Sequence, residues 1–253
     1  MKLKQKLIYA LIAIFLIGVI VIIKTDNSSV FSRIATGLIT GSFVAIVNTV
    51  VSYYHERQEY FLKLAKNLFD VANELTLDYI AEKMEVDEIE KSTKEQIKDK
   101  YIGKGKITIK ESTEFQTKYN KLANNVDLDS FAPLLPYPQM EKVIDDIGII
   151  FKGNFSVLYM YYITGTMIVG NDEDEEYFPN MFDLAMQAKK DLRDQLAYEL
   201  HEIGEIADRL YTLLEDNSSE MIIKTLEIVA LFCKDVIKGC EFKKSDRREN
   251  VKD

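Results

Sequence analysis

His55 and His201 are the only imidazoles in the chain, and they bound the acid/base and metal chemistry open to it. His201-Glu-Ile-Gly-Glu205 begins like the helix motif of zinc proteases, in which two histidines four residues apart share one face. The second position here is Glu205, and no third histidine exists to complete a site. Di-iron helices need Glu three residues before His, where this chain has Tyr198. An Arg-to-His ribonuclease spacing of four to six residues also fails, because seven residues separate Arg193 from His201. Cys233 and Cys240, seven apart, share a helical face, and their expected state is buried free thiols in a reducing compartment. The acidic run Asp172 to Glu176 lacks the alternating ligands and turn glycine of a calcium loop and reads as a solvated loop. Tyr101-Ile-Gly-Lys-Gly-Lys-Ile107 lacks the phosphate-loop spacing. Neither a Gly-x-Ser-x-Gly elbow nor a Cys/His pair in suitable context is visible. No catalytic, cofactor-binding or metal-ligating residue is therefore assigned, no cofactor is expected, and the chain does not read as an enzyme.

The most ordered spacing belongs to small residues. Gly37, Gly41 and Ala45 fall at i, i+4 and i+8 within an uncharged run, and Gly37-Leu-Ile-Thr-Gly41 is a GxxxG. In lipid no hydrophobic force drives helices together, so such a stripe supplies affinity by letting backbones approach. Asn48, with Thr49 and Ser52, extends it as a polar edge. These residues form the expected transmembrane packing face, toward Ala10, Ala13 and Gly18 of a preceding span or toward another copy.

The elements carrying that stripe follow from hydropathy. Residues 1–6 hold Lys2, Lys4 and Lys6, and residues 7–23 are uncharged, long for a signal peptide and without a small-x-small cleavage site. Residues 24–33 form a short polar turn and 34–54 a second uncharged run, which together predict a two-helix transmembrane hairpin. Lys2, Lys4, Lys6, Arg57, Lys63 and Lys66 flank one side against Lys24 and Arg33 on the other. Both termini are expected in the cytoplasm of an inner-membrane protein. Neither Gly nor Pro occurs from Ser42 to Ile102, so the second span should continue unbroken into a stalk, residues 55–84. Phe61, Leu64, Leu68, Val71 and Leu75 give that stalk a coiled-coil-like seam.

Residues 85–242 read as a cytoplasmic helical domain. A solvated, Gly-containing segment with a short strand at Ile107 to Ile109 precedes a modest helix at Ser112 to Asn124 and a linker carrying Pro133, Pro136 and Pro138. Met140 to Lys152 is an amphipathic helix. Phe155 to Val169 has no charge and reads as a buried helix, with a strand or a third span as alternatives. A long amphipathic helix after Pro179 carries Leu192, Leu196, Ile203, Ile206, Leu210 and Leu213. Asn217-Ser-Ser-Glu220 reads as a capping box opening the last helix, which should stop at Gly239 and lie antiparallel to its predecessor. The tail, residues 243–253, is mixed charge and expected to be disordered. The expected fold class is thus all-α: hairpin, stalk and cytoplasmic bundle.

Net charge is −9 over 253 residues, but residues 1–54 carry five cations and one acid, leaving 27 basic and 40 acidic residues in 55–253. Such a surface repels phosphate backbones, and no nucleic-acid partner is expected. The expected partners are the lipid bilayer and either itself or a cytoplasmic protein. In layout the chain resembles small bacterial membrane proteins, including two-span effectors of phage-defence systems. Two roles follow: a membrane-anchored sensor or scaffold working by protein–protein interaction, or an oligomerising pore or membrane-perturbing effector.

Overall fold

The computed structural model describes residues 2–25, 29–93, 96, 117–118, 138–151, 155–167 and 178–238. Every regular element among them is a helix. In chain order these are α1 (Lys2–Lys24), α2 (Val30–Lys91), α3 (Pro138–Ile149), α4 (Phe155–Met167), α5 (Phe178–Leu214) and α6 (Glu220–Val236). The expected strand at 107–109, the helix at 112–124 apart from Thr117 and Lys118, most of the proline linker, the acidic run at 172–176 and the tail lie outside the described residues. The chain divides into two compact units, residues 1–64 with 126–141 and residues 65–125 with 142–253.

In the first unit, α1 and the start of α2 are long and apolar enough to cross a membrane, with mean hydropathies of 2.9 and 1.8 over their most apolar windows and only 11% of each window buried. Ser29 caps α2, its hydroxyl accepting from the Ser32 N–H at 3.1 Å. Hydroxyls along α2 are satisfied by their own helix. Thr36 donates to the Ser32 carbonyl at 2.9 Å, Ser42 to Leu38 at 2.6 Å and Thr49 to Ala45 at 2.6 Å, a device that hides an O–H without needing a second chain. Gly18 is a point of close approach: a Cβ there would lie 2.8 Å from Ile39 Cγ1 and 3.5 Å from the Ala35 carbonyl.

α2 is one helix of 62 residues, about three times what a bilayer needs. It extends the expected rod at both ends, beginning at Val30 instead of Ile34 and ending at Lys91 instead of Met84. In its second unit Leu68, Val71, Leu75, Tyr79, Val86 and Ile89 are buried, alternating by three and four. The position that keeps this rhythm between Tyr79 and Val86 is Glu82.

The rest of the second unit is built on α5. This helix packs on α4 and on α6, with Leu196, Leu200, Ile203, Ala207, Leu210 and Leu214 as its buried seam. Leu214, one residue past the expected Leu213, closes that seam. Gly204 lets α6 come close, since a Cβ there would sit 3.0 Å from Cys233 Cβ. α6 buries Ile222, Leu226, Val229 and Cys233. The capping box expected at 217–220 is replaced by a different cap. Ser219 is the N-cap and Glu220 the first helical residue, two positions too early to reach back, and the Ile222 and Ile223 amides bond the Ser219 carbonyl at 3.0 and 3.2 Å. The uncharged stretch after Phe155 is helical, with Phe155 and Leu158 buried and Met160 exposed. Pro138 opens α3 at the first helical position, where its missing N–H has no partner to lose.

Candidate functional site

The predicted packing residues sit on the outer surface of α2. Neither Gly37 nor Gly41 has any atom within 4 Å of where a Cβ would be built. Ala45 is half-buried and Asn48 exposed. Of the three close-approach points expected on α1, Gly18 makes contact, through Ile39 and Ala35, while Ala10 and Ala13 are exposed. At the other end of α1 the Lys4 ammonium donates to the Ser52 hydroxyl at 2.6 Å and to the Glu56 carboxylate, so a charge near the start of the chain is neutralised where the apolar run of α2 ends. Arg57 is buried there, its guanidinium 5.5 Å from the Phe61 ring centre.

A second constellation, unpredicted from sequence, lies along α2 in the other unit. Glu74, Asp78, Glu82, Glu85 and Glu90 form an acidic edge, and lysines from elsewhere in the unit meet it. Lys118 bonds Glu74 at 2.8 Å and Asp78 at 2.8 Å. Lys189 of α5 bonds Glu85 at 2.9 Å and stands 3.7 Å from Glu82, and Lys190 bonds Glu90 at 2.7 Å. Burial pulls Lys118 toward neutrality, but its two carboxylate partners outweigh that and leave its pKa raised. Glu90 is lowered, first by the hydrogen bond from Lys190 and then by that ammonium's charge. Glu82 goes the other way. Desolvation raises its pKa, Glu85 and Asp78 add to the rise, and Lys189 recovers only part of it. The side chains of Lys189 and Glu82 are 10% and 14% exposed, so this pair is held in the interior.

The residues weighed for chemistry are dispersed. His55 is exposed, 3.4 Å from Glu59. His201 is half-buried and Glu205, at the position where a zinc-protease helix carries its second histidine, is exposed. No metal-holding group of His, Cys, Asp and Glu occurs among the described residues. Cys233 is buried beneath Gly204, and desolvation pushes its thiol up to about 12, which makes it inert as a nucleophile at neutral pH. Cys240 lies outside the described residues. Glu199 is a fully buried carboxylate on α5 that accepts from Gln195 Nε2 at 2.5 Å. Nothing in the sequence around it signals burial except its place one residue before Leu200 in the seam.

No family model, curated protein or solved structure matches this chain.

Proposed function

We propose that this chain is a membrane-anchored helical sensor or scaffold, tethered by a two-helix transmembrane hairpin at the inner membrane and acting through protein–protein interaction at its cytoplasmic face. The observation that carries the reading is α2. One unbroken helix joins a stretch whose Phe43, Val44, Val47 and Val51 are uncovered by protein to a stretch whose Leu68, Val71 and Leu75 are fully covered. Apolar side chains so exposed over two helices call for lipid, and the covered seam calls for a folded domain outside it. The Lys4 contacts with Ser52 and Glu56 and the Gly18 contact with Ile39 support pairing α1 with α2 as a hairpin, with the N-terminus and the stalk on one side. The bundle and its cytoplasmic placement are part of the proposal, as is the absence of catalysis. Vesicle flotation of the full chain tests it: co-migration with lipid after carbonate washing supports an integral anchor, and release by carbonate refutes one.

The open space at Gly37 and Gly41 favours a second reading, in which that stripe assembles copies into a membrane-perturbing effector. Dye release from vesicles that rises with protein-to-lipid ratio supports it, and intact vesicles at all ratios argue for the scaffold.

A further inference from the structure

Among the described residues Arg57 is a buried cation that no carboxylate reaches. It is 8% exposed, and its Nε has no hydrogen-bond partner. The residues flanking it on α2 at i−4, i−3, i+3 and i+4 are Tyr53, Tyr54, Tyr60 and Phe61, so no acid stands one helical turn away. The two acids nearest in sequence are engaged elsewhere: Glu56 accepts from the Lys4 ammonium, and Glu59 stands 3.4 Å from His55. What the guanidinium does have is the Phe61 ring, whose centre lies 5.5 Å from Cζ, and Tyr60 meets that ring edge-on at 5.6 Å. A ring face attracts a cation but offers an N–H no oxygen. Such a charge is costly to bury unless an anion joins it.

We propose that Arg57 binds the phosphate of an anionic phospholipid headgroup. The inference rests on the membrane-anchored reading above. Arg57 follows the uncharged run 34–54 by three positions, about 4.5 Å along the helix axis, which sets it at headgroup depth once that run lies in hydrocarbon. The tyrosines around it are of the type that collects at this level, with an apolar ring and a polar tip. A guanidinium presents its N–H groups in a planar fork, which matches two oxygens of one phosphodiester. Zwitterionic headgroups carry their own cation beside the phosphate. An anionic lipid is the one that leaves a net charge for Arg57, and a basic site at the membrane surface is where such headgroups bind.

The test reads the thermal midpoint of the full chain in a neutral detergent, titrated with phosphatidylglycerol, phosphatidylcholine or inorganic phosphate. Phosphatidylglycerol should raise the midpoint by about 3–6 °C at ten times its dissociation constant, while phosphatidylcholine and inorganic phosphate leave it unchanged. Arg57→Gln should abolish the rise, and Arg57→Lys, which keeps the charge and loses the fork, should retain less than half of it. Lys63→Gln, at an exposed position of the same helix, should keep the rise and serves as the control for general charge. An equal rise in the parent and both Arg57 variants overturns the proposal, and so does a rise of the same size with inorganic phosphate alone, which would make the ligand a free anion. Release of the chain from vesicles by carbonate overturns the anchor and this inference together. A carbonate-resistant chain whose midpoint ignores phosphatidylglycerol overturns this inference and leaves the anchor standing.

Discussion

Glu82→Gln should make the protein more stable at neutral pH. Glu82 occupies a seam position between Tyr79 and Val86, its side chain 14% exposed, and the nearer partner of Lys189 is Glu85 at 2.9 Å rather than Glu82 at 3.7 Å. Neutralising residue 82 therefore leaves Lys189 paired while removing the charge whose desolvation and repulsion from Glu85 and Asp78 exceed its attraction to Lys189. Replacing a buried ion pair by well-packed apolar residues of similar volume is often neutral or gains about 1–4 kcal/mol, whereas removing one partner costs stability when it leaves the other charge unpaired. Because only one carboxylate changes here and the pair persists, the gain should be about 1 kcal/mol, or about 2–4 °C in thermal midpoint for a chain of this size. The pH dependence has a definite sign. A carboxylate whose folded pKa is raised contributes stability fully below its unfolded value and loses it as pH rises through the folded value. The parent and Gln variant should thus converge below about pH 4.5 and separate toward pH 7. Calorimetry of the detergent-solubilised chain at both pH values is the assay. A Gln variant less stable than the parent at pH 7, or a gap that widens on acidification, would refute the reasoning.

Lys118→Met removes a cation shared by Glu74 and Asp78 and should cost about 1 kcal/mol, read as a lower thermal midpoint. Gly18→Leu should loosen α1 from α2, because a Cβ already lies 2.8 Å from Ile39, whereas Gly41→Leu meets open space and should leave protease resistance of the monomer unchanged while lowering cross-linking between copies. Cys233 should resist alkylation by maleimide in the native protein and react at once in denaturant, since its thiol is buried and raised to about 12.

The rod was legible because its signal is an absence: no Gly or Pro interrupts Ser42 to Ile102, so helix propagates until Ser92 and Thr93, where neither glycine nor proline marks the end. The seams were legible where every member was apolar. They were missed at Glu82, Lys189 and Glu199, because a pattern read from hydropathy counts a charge as surface; the burial of Glu82 and Lys189 is made tolerable by sequence-distant partners, and Glu199 accepts from Gln195 one turn earlier. The cap of α6 was misread by two residues. Asn217 and Ser219 are both good N-cap types, and the turn after Leu214, with the Asn217 amide bonded to the Leu214 carbonyl at 3.0 Å, selects the later one. In the stripe around Gly37, spacing revealed a face able to pack but carried no information about its partner. The outward position of both glycines is what directs attention to another copy.

The most direct test of the membrane-anchored scaffold is a pair of reporter fusions in a bacterial host, using an enzyme active only outside the cytoplasm. The account predicts activity when it is inserted at Asn27, between α1 and α2, and none when it is fused after Tyr60 within α2, because the cations flanking the two apolar stretches outnumber those in the turn. Activity at residue 60 with none at residue 27, or equal activity at both, would contradict it.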